Sequence, residues 1–300
     1  MMISKSILRP ALLAGIASLL SACMSATPPD SGQVAKPLQK PRIALALGGG
    51  AVKGFAHIGV IKVLEGAGIT PDIIVGTSAG SVVGSLYASG LTGMQLQQRA
   101  IALDQADLTD WTLSTKGVIK GEKLQNWINA QVGNRPLEKL GKPFAAVATE
   151  LDSGRRVVFR TGNTGQAVRA SASIPNVFLP VKIGGKSYVD GGLVSPVPVS
   201  AAREMGAQFV IAVDITGRPK AGRATGFLSM LDQSLSIMNG SALAQELKQA
   251  DVVIHPNVLN IGSAEFEARN QAILEGEKAA QQMLPQIRQL LQQKSLALAK

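Results

Sequence analysis

The sequence contains few of the residues that bind metals or form disulfides. Its 300 residues include one cysteine and two histidines. A single cysteine cannot form a disulfide within the chain, and so few cysteines and histidines cannot supply a zinc cluster of the usual spacing. Metal binding through carboxylates alone has no motif to support it. We therefore expect neither a metal nor another cofactor.

Glycine and positive charge, by contrast, are in excess. Glycine makes up 32 of the 300 residues, above the usual share of about 7%. These glycines follow no three-residue period, which excludes collagen, so the excess marks particular places. The formal net charge of +10 suggests binding to nucleic acid or to an anionic membrane surface. A hydrophobic content of 46% over this length excludes a wholly disordered chain and allows one large domain or two small ones.

The first residues have the form of a secretory signal. Lys5 and Arg9 precede an apolar run over residues 11–20, which is too short to span a bilayer. The run leads into Leu20-Ser21-Ala22-Cys23, which resembles a bacterial lipobox and contains the only cysteine. This resemblance implies that residues 1–22 are a lipoprotein signal peptide and that Cys23 is lipidated. An ordinary signal peptide with a chance cysteine is the alternative.

The residues after Cys23 predict how the mature protein is held. Several acyl chains on this cysteine would bind it stably to a membrane. Met24 stands where an aspartate would favour the inner membrane, so we expect a lipid anchor in the outer membrane, facing the periplasm. Residues 23–41 are rich in small and polar residues, which predicts a flexible tether. Removal of the two signal cations, with no acid among the first 22 residues, lowers the net charge from +10 to +8.

Apolar runs then alternate with helical patterns. Arg42–Leu47 and Ile73–Val75 read as buried strands, and Phe55–Glu65 and Ser81–Ala88 read as helices. This order predicts a parallel sheet covered by helices, with ligands at the carboxyl ends of the strands. Further predicted strands are Phe144–Thr149, Val157–Phe159, Tyr188–Val189 and Phe209–Val213, and Pro198–Met205 is a predicted helix.

Two longer stretches are expected to be mainly helical. The first covers residues 91–134 and contains Trp111 and Trp127 as core or docking residues. The second, residues 264–293, reads as one or two surface helices broken near Pro285. We expect these helices to pack on the sheet, and a helix lying on a membrane is the alternative. The predicted boundaries are a folded domain of residues 42–257 and a C-terminal helical segment of residues 258–300.

Two glycine-rich strings have the pattern of catalytic motifs. Gly76-Thr77-Ser78-Ala79-Gly80 lies between a predicted strand and a predicted helix, the context of a nucleophile elbow that exposes a serine hydroxyl. Gly48, Gly49 and Gly50 follow the first strand, where their N–H groups could converge on one oxygen as an oxyanion hole. Lys53 is followed by Gly54 rather than by serine or threonine, so the string is not a P-loop. Lys53 also occupies the sixth position from Gly48, where a dinucleotide fingerprint has glycine.

A serine nucleophile also needs a base. His57 follows the glycine loop and His255 follows a short apolar run, and neither lies in a motif that marks it as the base. Asp190, followed by two glycines at a strand end, could approach another backbone closely, although a plain turn would have the same pattern.

Together, the glycine loop, the Gly-Thr-Ser-Ala-Gly string and the later Asp-Gly-Gly string resemble the patatin-like phospholipase family over residues 42–215. The resemblance implies a three-layer α/β fold with a central, mostly parallel sheet flanked by helices. It implies a serine lipid acyl hydrolase that cleaves carboxylic esters of phospholipids or related lipids through an acyl-enzyme. Ser78 would be the nucleophile and Asp190 the base, and the amides of Gly48, Gly49 and Gly50 would hold the oxyanion.

The sequence departs from the family pattern at one position of the oxyanion loop. Lys53 stands where the family often has arginine, which keeps the charge but loses bidentate hydrogen bonding. The resemblance also places residues 170–175 beside the site, where we read them as support.

Two alternatives stay open. One is an esterase with a Ser-His-Asp triad that uses His255, and the other is a non-catalytic envelope lipoprotein that binds lipid in the same pocket. Nucleic acid is not an expected partner, because the cations are dispersed and an exported lipoprotein does not meet DNA. The positive charge is better explained by anionic lipid head groups at a membrane surface.

Overall fold

The computed structural model describes residues 39–108, 110, 119–216, 227–262 and 264–299. The predicted signal peptide, the predicted lipidation site Cys23, most of the predicted tether and Trp111 lie outside these residues.

A single mixed sheet forms the centre of the described chain. Its order is β5-β6-β3-β2-β1-β7-β8, with β4 also paired to β3. Strands β3, β2, β1, β7 and β8 run parallel, whereas β4, β5 and β6 lie at one end in antiparallel pairs. The strands are β1 (Ile43–Leu47), β2 (Ile73–Thr77), β3 (Phe144–Glu150), β4 (Arg156–Phe159), β5 (Val181–Ile183), β6 (Lys186–Asp190), β7 (Phe209–Val213) and β8 (Val252–Ile254).

Helices cover both faces of this sheet. In the described residues, none of them is both long enough and apolar enough to cross a membrane. The helices are α1 (Ala56–Gly66), α2 (Ala79–Ala88), α3 (Gly93–Ala102), α4 (Glu122–Gln131), α5 (Thr164–Ser171), α6 (Val199–Glu204), α7 (Phe227–Met238), α8 (Gly240–Leu247) and α9 (Arg269–Leu298).

The two faces of the sheet bury side chains of different size. Leu45, Leu47 and Phe209 pack with α1 to α4 and α9, whereas Ala44 and Ala46 pack with α6 on the other face. This alternation follows from the two-residue period of a strand. Since both faces are covered, the central strands are apolar throughout, as parallel strands usually are. The three-layer α/β architecture with a mostly parallel sheet is therefore confirmed.

Most predicted elements are present, with some differences. Strands β5 and β8, of three residues each, were not predicted. The stretch 91–134 contains α3 and α4, and Trp127 is partly buried against the core. The expected break at Pro285 is absent, because α9 is one helix of 30 residues that continues through this proline. Buried residues on both sides of Pro285 hold the two halves in line.

Helix α9 crosses α1 at two glycines, and Lys62 of α1 pairs with Glu277 of α9 beside this crossing. A Cβ atom on Gly276 would lie 2.0 Å from the carbonyl oxygen of Ala56, and one on Gly59 would lie 2.0 Å from that of Ile273. The two backbones are therefore in direct contact at this crossing. Helix α1 begins just after the glycine loop, so α9 supports the helix that carries this loop.

We predict that Gly276→Ala lowers the free energy of unfolding by about 1–3 kcal/mol, because the new methyl group must push α9 away from α1. The matched control is Gly66→Ala in the last turn of α1, where a Cβ meets nothing within 4 Å. This change should stabilise the fold by about 0.5–1 kcal/mol through helix propensity. Urea unfolding measures both, and equal effects of the two variants would contradict the close crossing.

Candidate active site

Ser78 occupies a sharp turn between β2 and α2. Its backbone angles, φ 52° and ψ −123°, are strained for a residue other than glycine. A Cβ on Gly76 would lie 2.3 Å from the carbonyl oxygen of Gly80, and one on Gly80 would lie 2.1 Å from that of Leu47. Only glycine fits at these two positions, so the string folds as the strand–turn–helix of a nucleophile elbow.

Sheet pairing brings Asp190 to this turn. One edge of β3 pairs with β2 as far as Thr77, which lies opposite Val147. The other edge of β3 pairs with β4. Strand β6 therefore pairs with β3 on the edge that β2 leaves, and Asp190 lies opposite Ala148, the next residue of β3. In space, Asp190 therefore lies next to the end of β2, where the turn begins at Ser78.

The two side chains are in contact. The Ser78 hydroxyl donates to Oδ2 of Asp190 at 2.6 Å, and the two residues are only 7% and 6% exposed. Oδ1 of Asp190 accepts the Gly192 N–H at 2.7 Å, and its backbone carbonyl accepts the Thr149 hydroxyl at 2.8 Å. The Ser78 N–H donates to the Ser171 hydroxyl at 2.9 Å. Both partners are therefore held by bonds from other elements.

Burial changes the acidity of this aspartate. Loss of solvent raises the pKa of Asp190 from 3.8 to about 6, although hydrogen bonds from Ser78 and Gly192 partly oppose the rise. Burial disfavours the charged form, and hydrogen bonds to the carboxylate favour it. The group is therefore ionised at neutral pH and is a stronger base than an aspartate in water.

The glycine loop lies against the serine, and two of its amides are occupied. A Cβ on Gly49 would lie 3.2 Å from the Cβ of Ser78. However, the Gly48 N–H donates to Val213 at 3.0 Å and the Gly49 N–H donates to Pro196 at 2.9 Å. Of the three amides expected to bind an oxyanion, only that of Gly50 has no acceptor among the described residues.

Two side chains close to the loop are buried. Nε2 of His57 lies 2.8 Å from the Gly48 carbonyl oxygen, and since this oxygen only accepts, Nε2 carries the proton. Burial lowers the pKa of His57 to about 4, so the ring is neutral at physiological pH. Lys53 is 3% exposed, and its backbone N–H donates to the Gly50 carbonyl at 3.1 Å. Both residues shape the loop.

The second histidine is paired elsewhere. Nδ1 of His255 lies 3.2 Å from Oδ2 of Asp214, and Oδ1 of Asp214 accepts the Thr216 hydroxyl at 2.6 Å. The hydrogen bonds between described residues connect neither Ser78 nor Asp190 to a histidine. The structure therefore brings Ser78 to Asp190, and it does not bring His255 to Ser78.

Sequence reasoning missed several supporting residues. Ser171, which binds the Ser78 N–H, lies within the predicted support segment 170–175, but the sequence did not distinguish it from its neighbours. Thr149 ends a predicted strand and had no other signal. Pro196 could not be identified, because its partner Gly49 is distant in the chain.

A serine at a strand–turn–helix elbow, bonded to a buried carboxylate, is characteristic of α/β enzymes with a serine nucleophile. A family model described as "Patatin-like phospholipase" matches residues 45–203, more than half of the chain. The chain belongs to the patatin-like phospholipase family.

Individual relatives agree with this assignment. The chain is 38% identical over 183 residues to an uncharacterized NTE family protein of Mycobacterium tuberculosis, covering 59% of this chain and 50% of the relative. It is 31% identical over 204 residues to patatin-like phospholipase domain-containing protein 6 of Homo sapiens, covering 65% of this chain and 15% of the relative. The chain thus spans about half or less of these two curated relatives.

The fold also resembles a solved structure. The crystal structure of VipD from Legionella pneumophila matches with a TM-score of 0.61 at 15% identity, covering 83% of this chain and 67% of that one. At this identity the likeness shows the fold.

The raised pKa of Asp190 predicts a stability effect. The pKa of Asp190 is about 6 in the folded chain, compared with the usual value of 3.8 that applies to the unfolded chain. The proton therefore binds more tightly to the folded state. The folded state loses relative stability as pH rises from about 4 through about 6. We predict that Asp190→Asn, which carries no charge, raises the free energy of unfolding by about 3 kcal/mol at about pH 8.

The gain should disappear below about pH 4, where Asp190 is protonated in both states. Asp152→Asn, in the exposed turn between β3 and β4, is the control and should change the free energy of unfolding at about pH 8 by no more than about 0.5 kcal/mol. Chemical unfolding across the pH range measures both variants. A loss of stability in Asp190→Asn at high pH would contradict the burial argument.

Proposed function

We propose that this chain is a serine lipid acyl hydrolase that cleaves carboxylic esters of phospholipids or related lipids through a Ser78–Asp190 dyad. The observation that carries the proposal is the 2.6 Å hydrogen bond from the Ser78 hydroxyl to the Asp190 carboxylate. Membership of the patatin-like phospholipase family and a human relative named as a patatin-like phospholipase domain-containing protein support the substrate class.

In the first step, Ser78 is acylated. Its Oγ attacks the ester carbonyl carbon while its proton passes to Oδ2 of Asp190, and the carbonyl oxygen becomes an oxyanion. The tetrahedral intermediate then collapses, the bond to the leaving alcohol breaks, and Asp190 returns the proton to that alcohol. A base with a pKa of about 6 suits both halves of this step, since it accepts and releases a proton near neutral pH.

The oxyanion needs donors that are not already bonded. The Gly50 N–H is the loop donor that meets this condition, and the Lys53 backbone fixes its peptide by bonding the Gly50 carbonyl at 3.1 Å. An elbow also supplies the N–H of the residue after the nucleophile, which is Ala79 at the start of α2. Helix N-terminal N–H groups have no partner within the helix and favour negative charge. Gly48 and Gly49 then act by shaping the loop.

In the second step, water releases the acyl group. Asp190 takes a proton from water, the hydroxide adds to the acyl carbonyl, and Ser78 leaves with the proton that Asp190 returns. The products are a free fatty acid and the enzyme in its initial state. No histidine is needed in either step, which agrees with the pairing of His255 to Asp214.

We predict that Ser78→Ala and Asp190→Asn each lower kcat for a soluble carboxylic ester by roughly 10³-fold or more, because the two groups act as a unit. Ester hydrolysis and labelling by a fluorophosphonate probe measure the effect. Asp152→Asn and His255→Ala should retain activity. Loss of activity in His255→Ala would favour a Ser-His-Asp triad.

The same assay tests the non-catalytic alternative. A protein that only binds lipid would leave Ser78 unlabelled by the probe in the native chain, and neither native protein nor variants would release fatty acid. Mass spectrometry of the products from mixed lipids would then identify the head group and the acyl position cleaved.

We further propose that Cys23 anchors the mature protein in the bacterial envelope, with the outer membrane as its destination. The predicted tether of residues 23–41 has 19 residues, which can reach at most about 65–70 Å when extended. The proposed dyad could therefore approach the lipid surface in which the anchor is inserted.

Cys23→Ser should abolish incorporation of labelled palmitate in bacteria and move the protein from the membrane fraction to the soluble fraction, because several acyl chains supply the stable attachment. The matched control is Ser21→Thr in the signal peptide, which keeps the cysteine and should retain the label. Membrane retention of the unlipidated Cys23→Ser variant would show that another part of the chain binds the membrane.

A further inference from the structure

A buried carboxylate lies behind the glycine loop, outside the proposed dyad. Glu246 of α8 is 6% exposed. Its Oε1 accepts the hydroxyls of Ser195 at 2.5 Å and Ser200 at 2.8 Å, and its Oε2 accepts the Ser200 N–H at 2.7 Å. No lysine or arginine of the described chain forms an ion pair with it. A buried charge is costly unless it is hydrogen-bonded, and all of these bonds go to the single segment 195–200.

The segment 195–200 in turn bonds both parts of the proposed site. The Ser195 carbonyl accepts the hydroxyl of Thr77, the residue before the nucleophile, at 2.8 Å. The Pro196 carbonyl accepts the Gly49 N–H at 2.9 Å. Two consecutive carbonyl groups thus connect this segment to the elbow and to the glycine loop. Glu246 holds the residue at the start of this segment and the residue at its end.

These bonds fix one peptide plane of the loop. The Gly48–Gly49 peptide is bonded at its oxygen by His57, at 2.8 Å, and at its N–H by Pro196. A peptide unit is rigid and planar, so bonds at opposite ends set its orientation. The next N–H along the chain is that of Gly50, the loop donor that the proposed mechanism uses. A shift of Pro196 would therefore tilt the Gly48–Gly49 plane and move this donor.

We propose that Glu246 is a positioning residue for the oxyanion loop: through Ser195 and Ser200 it fixes the Pro196 carbonyl, which orients the Gly48–Gly49 peptide and hence the Gly50 N–H. The inference rests on the proposed function, because it assigns Gly50 to the oxyanion. Glu246 does not touch the substrate. It acts through the backbone of the segment that it binds.

The test compares Glu246→Ala, Glu246→Gln and Gln245→Ala on a soluble short-chain ester. Glu246→Ala should lower kcat by about 10- to 100-fold with KM unchanged, because a displacement of about 1 Å at the reacting centre has effects of this size. Glu246→Gln keeps a carbonyl oxygen for the two serine hydroxyls but places an NH2 group opposite the Ser200 N–H, so it should recover only part of the rate. Gln245 is exposed on the same helix, and Gln245→Ala should match the native chain.

Amide hydrogen exchange supplies a readout that does not depend on activity. In Glu246→Ala the Gly49 N–H should lose protection, whereas the Gly48 N–H, which donates to Val213, should keep it. If the native chain hydrolyses no ester, the proposed function fails, and the exchange at Gly49 alone decides whether Glu246 positions the loop.

Three results would overturn the proposal. The first is a folded Glu246→Ala chain with native kcat and native protection at Gly49. The second is a loss of hydrogen-exchange protection throughout the chain, together with a lower melting temperature and a parallel change in kcat and KM. This combination would indicate a general structural role. If Glu246→Ala does not fold, Ser195→Ala removes one hydrogen bond of 2.5 Å and should give a smaller fall in kcat in the same direction. Native kcat in a folded Ser195→Ala variant is therefore the third result that would overturn the proposal.

Discussion

The structure of the site depends on keeping water away from Asp190. In water a carboxylate with a pKa of about 4 is a poor base at neutral pH, and burial raises the pKa of Asp190 to about 6. The buried charge persists only because the Ser78 hydroxyl and the Gly192 N–H bind it, at 2.6 Å and 2.7 Å. Thr149 holds its backbone and Ser171 holds that of Ser78. These contacts come from several parts of the chain, so the desolvated carboxylate exists only in the assembled fold.

The sheet topology brings these residues together, and glycines allow the backbones around them to approach closely. Beyond the end of β2, strand β6 pairs with the same edge of β3. Asp190 therefore lies next to the elbow without a long loop. A Cβ on Gly76, Gly80 or Gly191 would lie 2.3, 2.1 or 2.1 Å from a backbone oxygen, yet none of these glycines has a positive φ. They are needed for close approach of backbones rather than for an unusual conformation. Part of the glycine excess thus reflects how tightly the elbow and the acid turn are packed.

The sequence predicted the features that are encoded locally. Continuous apolar runs predicted β1, β2, β3 and β7, and the strand–glycine–serine–helix order predicted the position of the elbow. Apart from the pairing of Ser78 with Asp190, which the family resemblance implied, features that depend on distant partners were not predictable. The Gly49 amide is occupied by Pro196, and Glu246 binds Ser200, through contacts that no local pattern encodes. The same holds for Pro285, because a proline is expected to interrupt a helix unless packing on both sides holds the helix together, and α9 has buried residues before and after this proline.

The contacts of the two histidines leave a carboxylate as the base of the proposed mechanism. Imidazole has a pKa near 6.5 and can serve as a base in contact with water, whereas aspartate reaches a similar value here only through burial. His57 is committed to the Gly48 carbonyl, and its pKa is lowered to about 4, while His255 is bonded to Asp214. The carboxylate keeps its raised pKa only while bulk water stays away from it. The hydrocarbon of an acyl chain would exclude bulk water during the proposed acylation step, and the second step then needs only a single water molecule. The desolvated base and the proposed lipid substrate are therefore consistent with each other on physical grounds.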